Sequence, residues 1–147
     1  MHDRDVRTKI VVGVDGSEHS ARAVEWAAEY AAGRAAEVVV AHVVPVPISL
    51  AMGPYRVYER PTTGELDELR RVAELDWCKR LADAGIAYRV VIATGTPASE
   101  LLRIADVENA DLVVTGRRGL GGFAELLLGS TSHQVAHHLH CPLTIVP

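Results

Sequence analysis

Cysteine is nearly missing from this chain. Cys78 and Cys141 are the only two, and they lack the C-x-x-C spacing of a redox or zinc motif. With one in a helical pattern and the other beside an expected strand, both read as reduced thiols of a cytosolic protein. An excess of positive charge is missing too: 15 basic against 19 acidic residues give a formal net charge of −4. That balance offers no electrostatic case for nucleic acid or an anionic membrane. No apolar run approaches the roughly 20 residues needed to span a bilayer. The opening Met1-His2-Asp3-Arg4-Asp5 is too polar for a signal peptide. The expectation is a soluble, cytoplasmic protein.

What is present suffices for one folded unit. A 48% hydrophobic content over 147 residues argues for a globule with one sizeable core, a single domain spanning 1–147. Residues 1–8 read as a flexible start. Residues 9–14 form a continuous apolar run, as a parallel strand buried on both faces does. Asp15-Gly16-Ser17 ends it, with Ser17 placed to cap the following helix. That helix puts Ala21, Val24, Ala28 and Ala31 on one side and Arg22, Glu25 and Glu29 on the other, and Gly33 closes it. A second strand is expected over 37–44.

Residues 45–61, with four prolines, are irregular and read either as a mobile insertion or as a lid. Thr62-x-x-Glu65 is a capping box. It opens one long helix with an apolar stripe of Leu66, Leu69, Ala73, Trp77, Leu81 and Ala84, ending at Gly85, which makes Trp77 core rather than a ligand stacker. A third strand over 87–93 leads to Thr96-Pro97, an N-cap followed by proline at the first helical position. That helix runs to about residue 109. A fourth strand (112–115), a helix from 130 to about 139 and a strand over 142–146 complete the alternation. Strands and helices in strict alternation predict a parallel sheet with helices on both faces. Ligands of such sheets sit beyond the carboxyl ends of the strands, where strand order reverses.

The most informative stretch runs from Asp111 to Thr131. Gly116 stops a β-branched strand, two arginines and further glycines follow, and Gly129-Ser130 opens the next helix. Glycine loops expose backbone amides, and a helix start adds unpaired N–H groups and a positive dipole end, so both favour an anion. No Walker A loop is present, because the lysine and the four-residue spacing are lacking. Gly119-x-Gly121-x-x-Ala124 matches the dinucleotide fingerprint in letters, but no carboxylate follows at the ribose distance.

Gly116, Gly119, Gly129 and Ser130 spell G-x2-G-x9-G-[ST]. With the opening Ile10 to Ser17, the Ala41-His42-Val43-Val44 strand and Gly95-x-Pro97, the chain resembles the ATP-binding branch of the universal stress protein family. The resemblance implies a five-stranded parallel sheet of order 3-2-1-4-5, a Rossmann-like fold of the adenine nucleotide α-hydrolase type, and a homodimer. It also implies ATP between strands one and four. Asp15 then resembles the carboxylate that accepts the ribose hydroxyls, beside Gly116. Val14 and Val43 resemble the positions framing adenine. Gly119, Gly129, Ser130 and Thr131 resemble the phosphate cradle. Arg117 and Arg118 lie between the first two motif glycines, and at least one is expected on phosphate, where arginine can bond in bidentate fashion.

The resemblance implies nucleotide binding and regulation, with at most slow ATP hydrolysis. Glu125 is the only acid between the motif glycines, and a solvated helix position suits it better than a general base. A Mg²⁺ ion would rely mainly on phosphates and water. Adenylyl transfer or ATP pyrophosphatase chemistry would call for S-G-G-x-D-S or H-I-G-H, and neither occurs. His133 and His137 have the i,i+4 spacing of two zinc ligands, with His138 and His140 nearby, yet no H-E-x-x-H or further ligand accompanies them. Histidines near a helix C-terminus have an ordinary dipole explanation. No metal site is expected.

Overall fold

A computed structural model describes residues 6–45, 60–117 and 130–147. Five parallel strands, β1 (Thr8–Gly13), β2 (Ala36–Pro45), β3 (Ala87–Gly95), β4 (Leu112–Gly116) and β5 (Leu143–Val146), form one sheet of order β3-β2-β1-β4-β5. β1 pairs with β2 on one side (Val12 opposite Val40) and with β4 on the other (Val12 opposite Val114). The order therefore reverses between β1 and β4, as expected of 3-2-1-4-5.

Burial on both faces explains the continuous apolar runs. Ile10 and Val12 enter one core layer with Val38, Val40 and Val114, and Val11 enters the other with Val39 and Val113. Helix α1 (Glu18–Ala31) covers the first layer through Ala23, Val24, Ala27, Ala28 and Ala31. Ala21, expected on that face, is exposed; the buried stripe takes in Ser20, Ala23 and Ala27 instead. α4 (Pro97–Val107) and α5 (Ser130–His138) cover the second layer through Leu101, Ile104 and Val135.

Two local expectations need correction. The helix after Thr62 is not continuous. α2 (Thr63–Val72) opens with the expected capping box and then gives way to a π turn at Ala73–Trp77 and a short α3 (Lys79–Asp83). The Cys78 amide bonds the Ala73 carbonyl at 3.0 Å, five residues back, so one extra residue is accommodated. Ala73, Cys78 and Leu81 are fully buried while Ala84 is exposed, which shifts the expected stripe. Thr96 stands at the N-cap of α4 ahead of Pro97, but its side chain makes no capping bond.

The amino ends of the strands carry the charge. Arg89 bonds Glu37 at 2.7 Å and also pairs with Glu108, while Lys9 lies 3.7 Å from each of those carboxylates. A recess of about 400 Å³ at this same end is lined in part by Arg7, Gly33, Arg34 and Gly85. The C-terminal ends of α1 and α3 border it, and their carbonyl dipoles disfavour an anion there.

Candidate functional site

The carboxyl ends of β1 and β4 lie side by side where the strand order reverses, bordering the crevice that such a reversal leaves, and the turn after β1 stands at its rim. The Val14 amide extends the ladder one step, donating to the Ala41 carbonyl at 2.8 Å. There the strand ends. The Val14 carbonyl instead accepts from the imidazole Nδ1 of His42 at 2.6 Å; a carbonyl only accepts, so Nδ1 carries the proton. Asp15 follows, half-buried, with Oδ1 accepting from the Ser17 amide at 2.9 Å and its own amide facing the Ser20 hydroxyl at 3.4 Å. Gly16 has φ +83°, a conformation that favours glycine. Ser17 then caps α1, accepting from the Ser20 amide at 3.2 Å. Val14 is thus fixed by bonds to β2, and Asp15 by bonds to the Ser20 hydroxyl of α1 and to the Ser17 amide.

On the other side, Gly116 ends β4 against the first turn of α1. A Cβ added there would lie 2.7 Å from the His19 carbonyl carbon and 2.8 Å from its oxygen. The motif glycine is therefore required by close backbone approach, independently of any ligand. The Ser132 hydroxyl donates to the Gly116 carbonyl at 2.9 Å, and the Thr115 hydroxyl lies 3.2 Å from it. One proton cannot serve both, so Thr115 donates to Ser132. This buried pair ties the first turn of α5 to the end of β4. The Arg117 amide continues the sheet, donating to the Val146 carbonyl at 2.7 Å.

α1 and α5 pack on opposite faces of the sheet, and each begins at this edge. The crevice between β1 and β4 therefore lies between two helix N-termini, whose unpaired amides and dipoles favour an anion. Of the residues anticipated from sequence, the fold gathers Val14, Asp15, Val43, Gly116, Arg117 and Thr131 at this edge. Val43 lies two ladder positions beyond the register partner of Gly13, level with Asp15. Ser130 opens α5. Arg118, Gly119 and Gly129 lie outside the described residues, as does Glu125.

Sequence reasoning missed Ser132, His19 and the part played by His42. The signal for His42 was a polar side chain inside an apolar strand; Ser132 gave none, since a serine in a first helical turn is ordinary. Among the described residues, no three His, Cys, Asp or Glu side chains converge to hold a metal ion. No described helix is long and apolar enough to cross a membrane.

Sheet order defines an open parallel α/β protein whose strand order reverses between β1 and β4. Residues 7–147 match the universal stress protein family, and the chain belongs to that family. It is 34% identical to the universal stress protein YxiE of Bacillus subtilis over 148 residues, covering 94% of this chain and 97% of that one. Among solved structures, a universal stress protein in complex with cAMP aligns with a TM-score of 0.70 at 28% identity, covering 95% of this chain and 96% of the other. The universal stress protein of Archaeoglobus fulgidus in complex with dAMP shares the fold, with a TM-score of 0.71 at 20% identity and coverage of 97% and 99%.

Proposed function

We propose that this protein binds an adenine nucleotide, ATP first among them, in the crevice between β1 and β4, and acts as a regulatory homodimer of the cytoplasm with little or no catalysis. The observation that carries the reading is the juxtaposition of the Asp15 turn with Gly116 between the N-termini of α1 and α5. The donor set fits the ligand. A carboxylate held by its own turn suits a ribose diol, and helix-start amides with Thr131 and Ser130 suit phosphate. Val14 and Val43 supply apolar surface for a purine. Gly119, Gly129 and at least one of Arg117 and Arg118 are assigned to phosphate from their motif spacing, with any Mg²⁺ held chiefly by phosphate oxygens and water.

The relatives solved with cAMP and dAMP support an adenine nucleotide as the ligand class. The cAMP complex, at 28% identity, favours a second reading in which the cyclic nucleotide is the signal. A thermal melt with Mg-ATP, cAMP or NAD separates these readings. Ligand at 100 times Kd stabilises by about 2.7 kcal/mol, about 5–10 °C in a domain of this size. A shift with ATP that Asp15→Ala abolishes supports the proposal. A shift with cAMP alone changes the signal but keeps the crevice, and no shift with any nucleotide overturns the reading.

A further inference from the structure

The Asp15 turn is held from beneath by two aromatic side chains that the nucleotide motif does not include. His42, one residue before Val43 on β2, fixes the Val14 carbonyl at 2.6 Å. The Trp77 ring packs against His42, with centroids 5.0 Å apart, and lies where any side chain at position 16 would extend, 3.3 Å from an added Cβ. The residues on both sides of Asp15 are therefore braced, Val14 by a hydrogen bond and Gly16 by an indole. Trp77 is the last residue of the π turn. That interruption sends Cys78 into the core beneath Ala73 and leaves the half-buried indole at the carboxyl edge of the sheet. Single π turns are often found at functional sites, and this one ends on the side chain touching the turn.

We propose that His42 and Trp77 are positioning residues for nucleotide selection: they hold the Asp15 carboxylate where it accepts the ribose hydroxyls, so that the hydroxyls contribute to affinity. This rests on the nucleotide reading above. Neither side chain needs to touch the nucleotide. Their effect passes through the placement of one carboxylate, because a hydrogen bond weakens steeply when its angle or distance is lost. A merely structural contribution would lower affinity for every nucleotide alike.

The test compares ATP with 2′,3′-dideoxy-ATP by titration calorimetry on wild type, His42→Phe, His42→Gln and Trp77→Leu. Hydrogen bonds to a charged acceptor should make wild type prefer ATP by about 10-fold. His42→Phe, which keeps a ring but loses the donor, should bring that preference close to unity and leave dideoxy-ATP affinity within about 2-fold of wild type. His42→Gln, which restores an N–H donor, should recover part of the preference. If His42→Phe fails to fold, as judged by its melt, Trp77→Leu carries the same comparison. Equal losses for both nucleotides, or an unchanged preference, overturn the proposal. Wild type that binds neither nucleotide refutes the nucleotide reading itself. Wild type that binds both equally spares that reading and refutes the positioning role.

Discussion

Gly116→Ala tests whether the crevice is built by backbone contact. The added Cβ would meet the His19 carbonyl carbon at 2.7 Å, its oxygen at 2.8 Å and its Cβ at 2.9 Å. Regaining ordinary contact of 3.4 Å means that the first turn of α1 retreats by about 0.7 Å. That turn is held by the Ser17 cap and by Arg22, which donates to the Pro147 carbonyl at 2.9 Å and to His19 Nδ1 at 2.8 Å. Overpacking against a fixed backbone costs about 1–3 kcal/mol. Losing glycine's freedom in the unfolded chain returns about 0.4–1 kcal/mol, because position 116 is not in the left-handed region. At the middle of both ranges the net loss is about 1.3 kcal/mol, a fall in Tm of about 3–5 °C. Gly13→Ala is the control, since its Cβ would meet only the far end of the Leu101 side chain, at 3.2 Å rather than 2.7 Å, and should cost clearly less than Gly116→Ala. Calorimetric melts of both variants without ligand decide the matter. An unchanged or raised Tm for Gly116→Ala would refute the packing argument and leave the glycine to the ligand alone.

Two further outcomes follow from charge and burial. The Glu108 carboxyl is held below its ordinary value, chiefly by its hydrogen bonds to Arg89, against the opposing effect of burial, and further by the charges of Arg89 and Lys9. Its contribution is present above the unfolded carboxylate value of about 4.3 and is lost as pH falls through the lower folded value. Glu108→Gln should therefore lower Tm at pH 7, with the difference from wild type shrinking below about pH 4, and a pH-independent difference would contradict the assignment. Burial, with a smaller effect of Glu74, pushes the Cys78 thiol up to about 11. Native protein should therefore leave Cys78 unlabelled by a thiol reagent at pH 8, while denatured protein labels it at once; rapid native labelling would contradict the packing beneath the π turn.

The strands were legible because parallel strands buried on both faces need continuous apolar residues, and Ile10 to Val12 or Val38 to Val40 admit no other reading of comparable simplicity. The Ser17 cap and the Thr62–Glu65 capping box were legible because their bonds are local. Strand order came from family resemblance, since no residue pattern states which strand lies beside β1. The π turn was hidden because Leu66, Leu69, Ala73, Trp77 and Leu81 form an acceptable α-helical stripe; only tertiary packing decides that Cys78 takes the core position. Gly116 was recognised for the right place and an incomplete reason. Its spacing suggested a nucleotide motif, whereas the backbone of His19 alone demands glycine there. Ser132 and His42 act through bonds to carbonyls distant in sequence; Ser132 left no local trace, and His42 showed only as a polar side chain inside an apolar strand.

The most direct measurement of the central claim is the structure of the protein crystallised with saturating Mg-ATP. The account predicts the nucleotide at the carboxyl ends of β1 and β4, with a ribose hydroxyl about 2.5–3.0 Å from the Asp15 carboxylate and the phosphates toward the start of α5. Nucleotide bound with its ribose away from Asp15, or at the amino ends of the strands near Arg7 and Arg34, would contradict it.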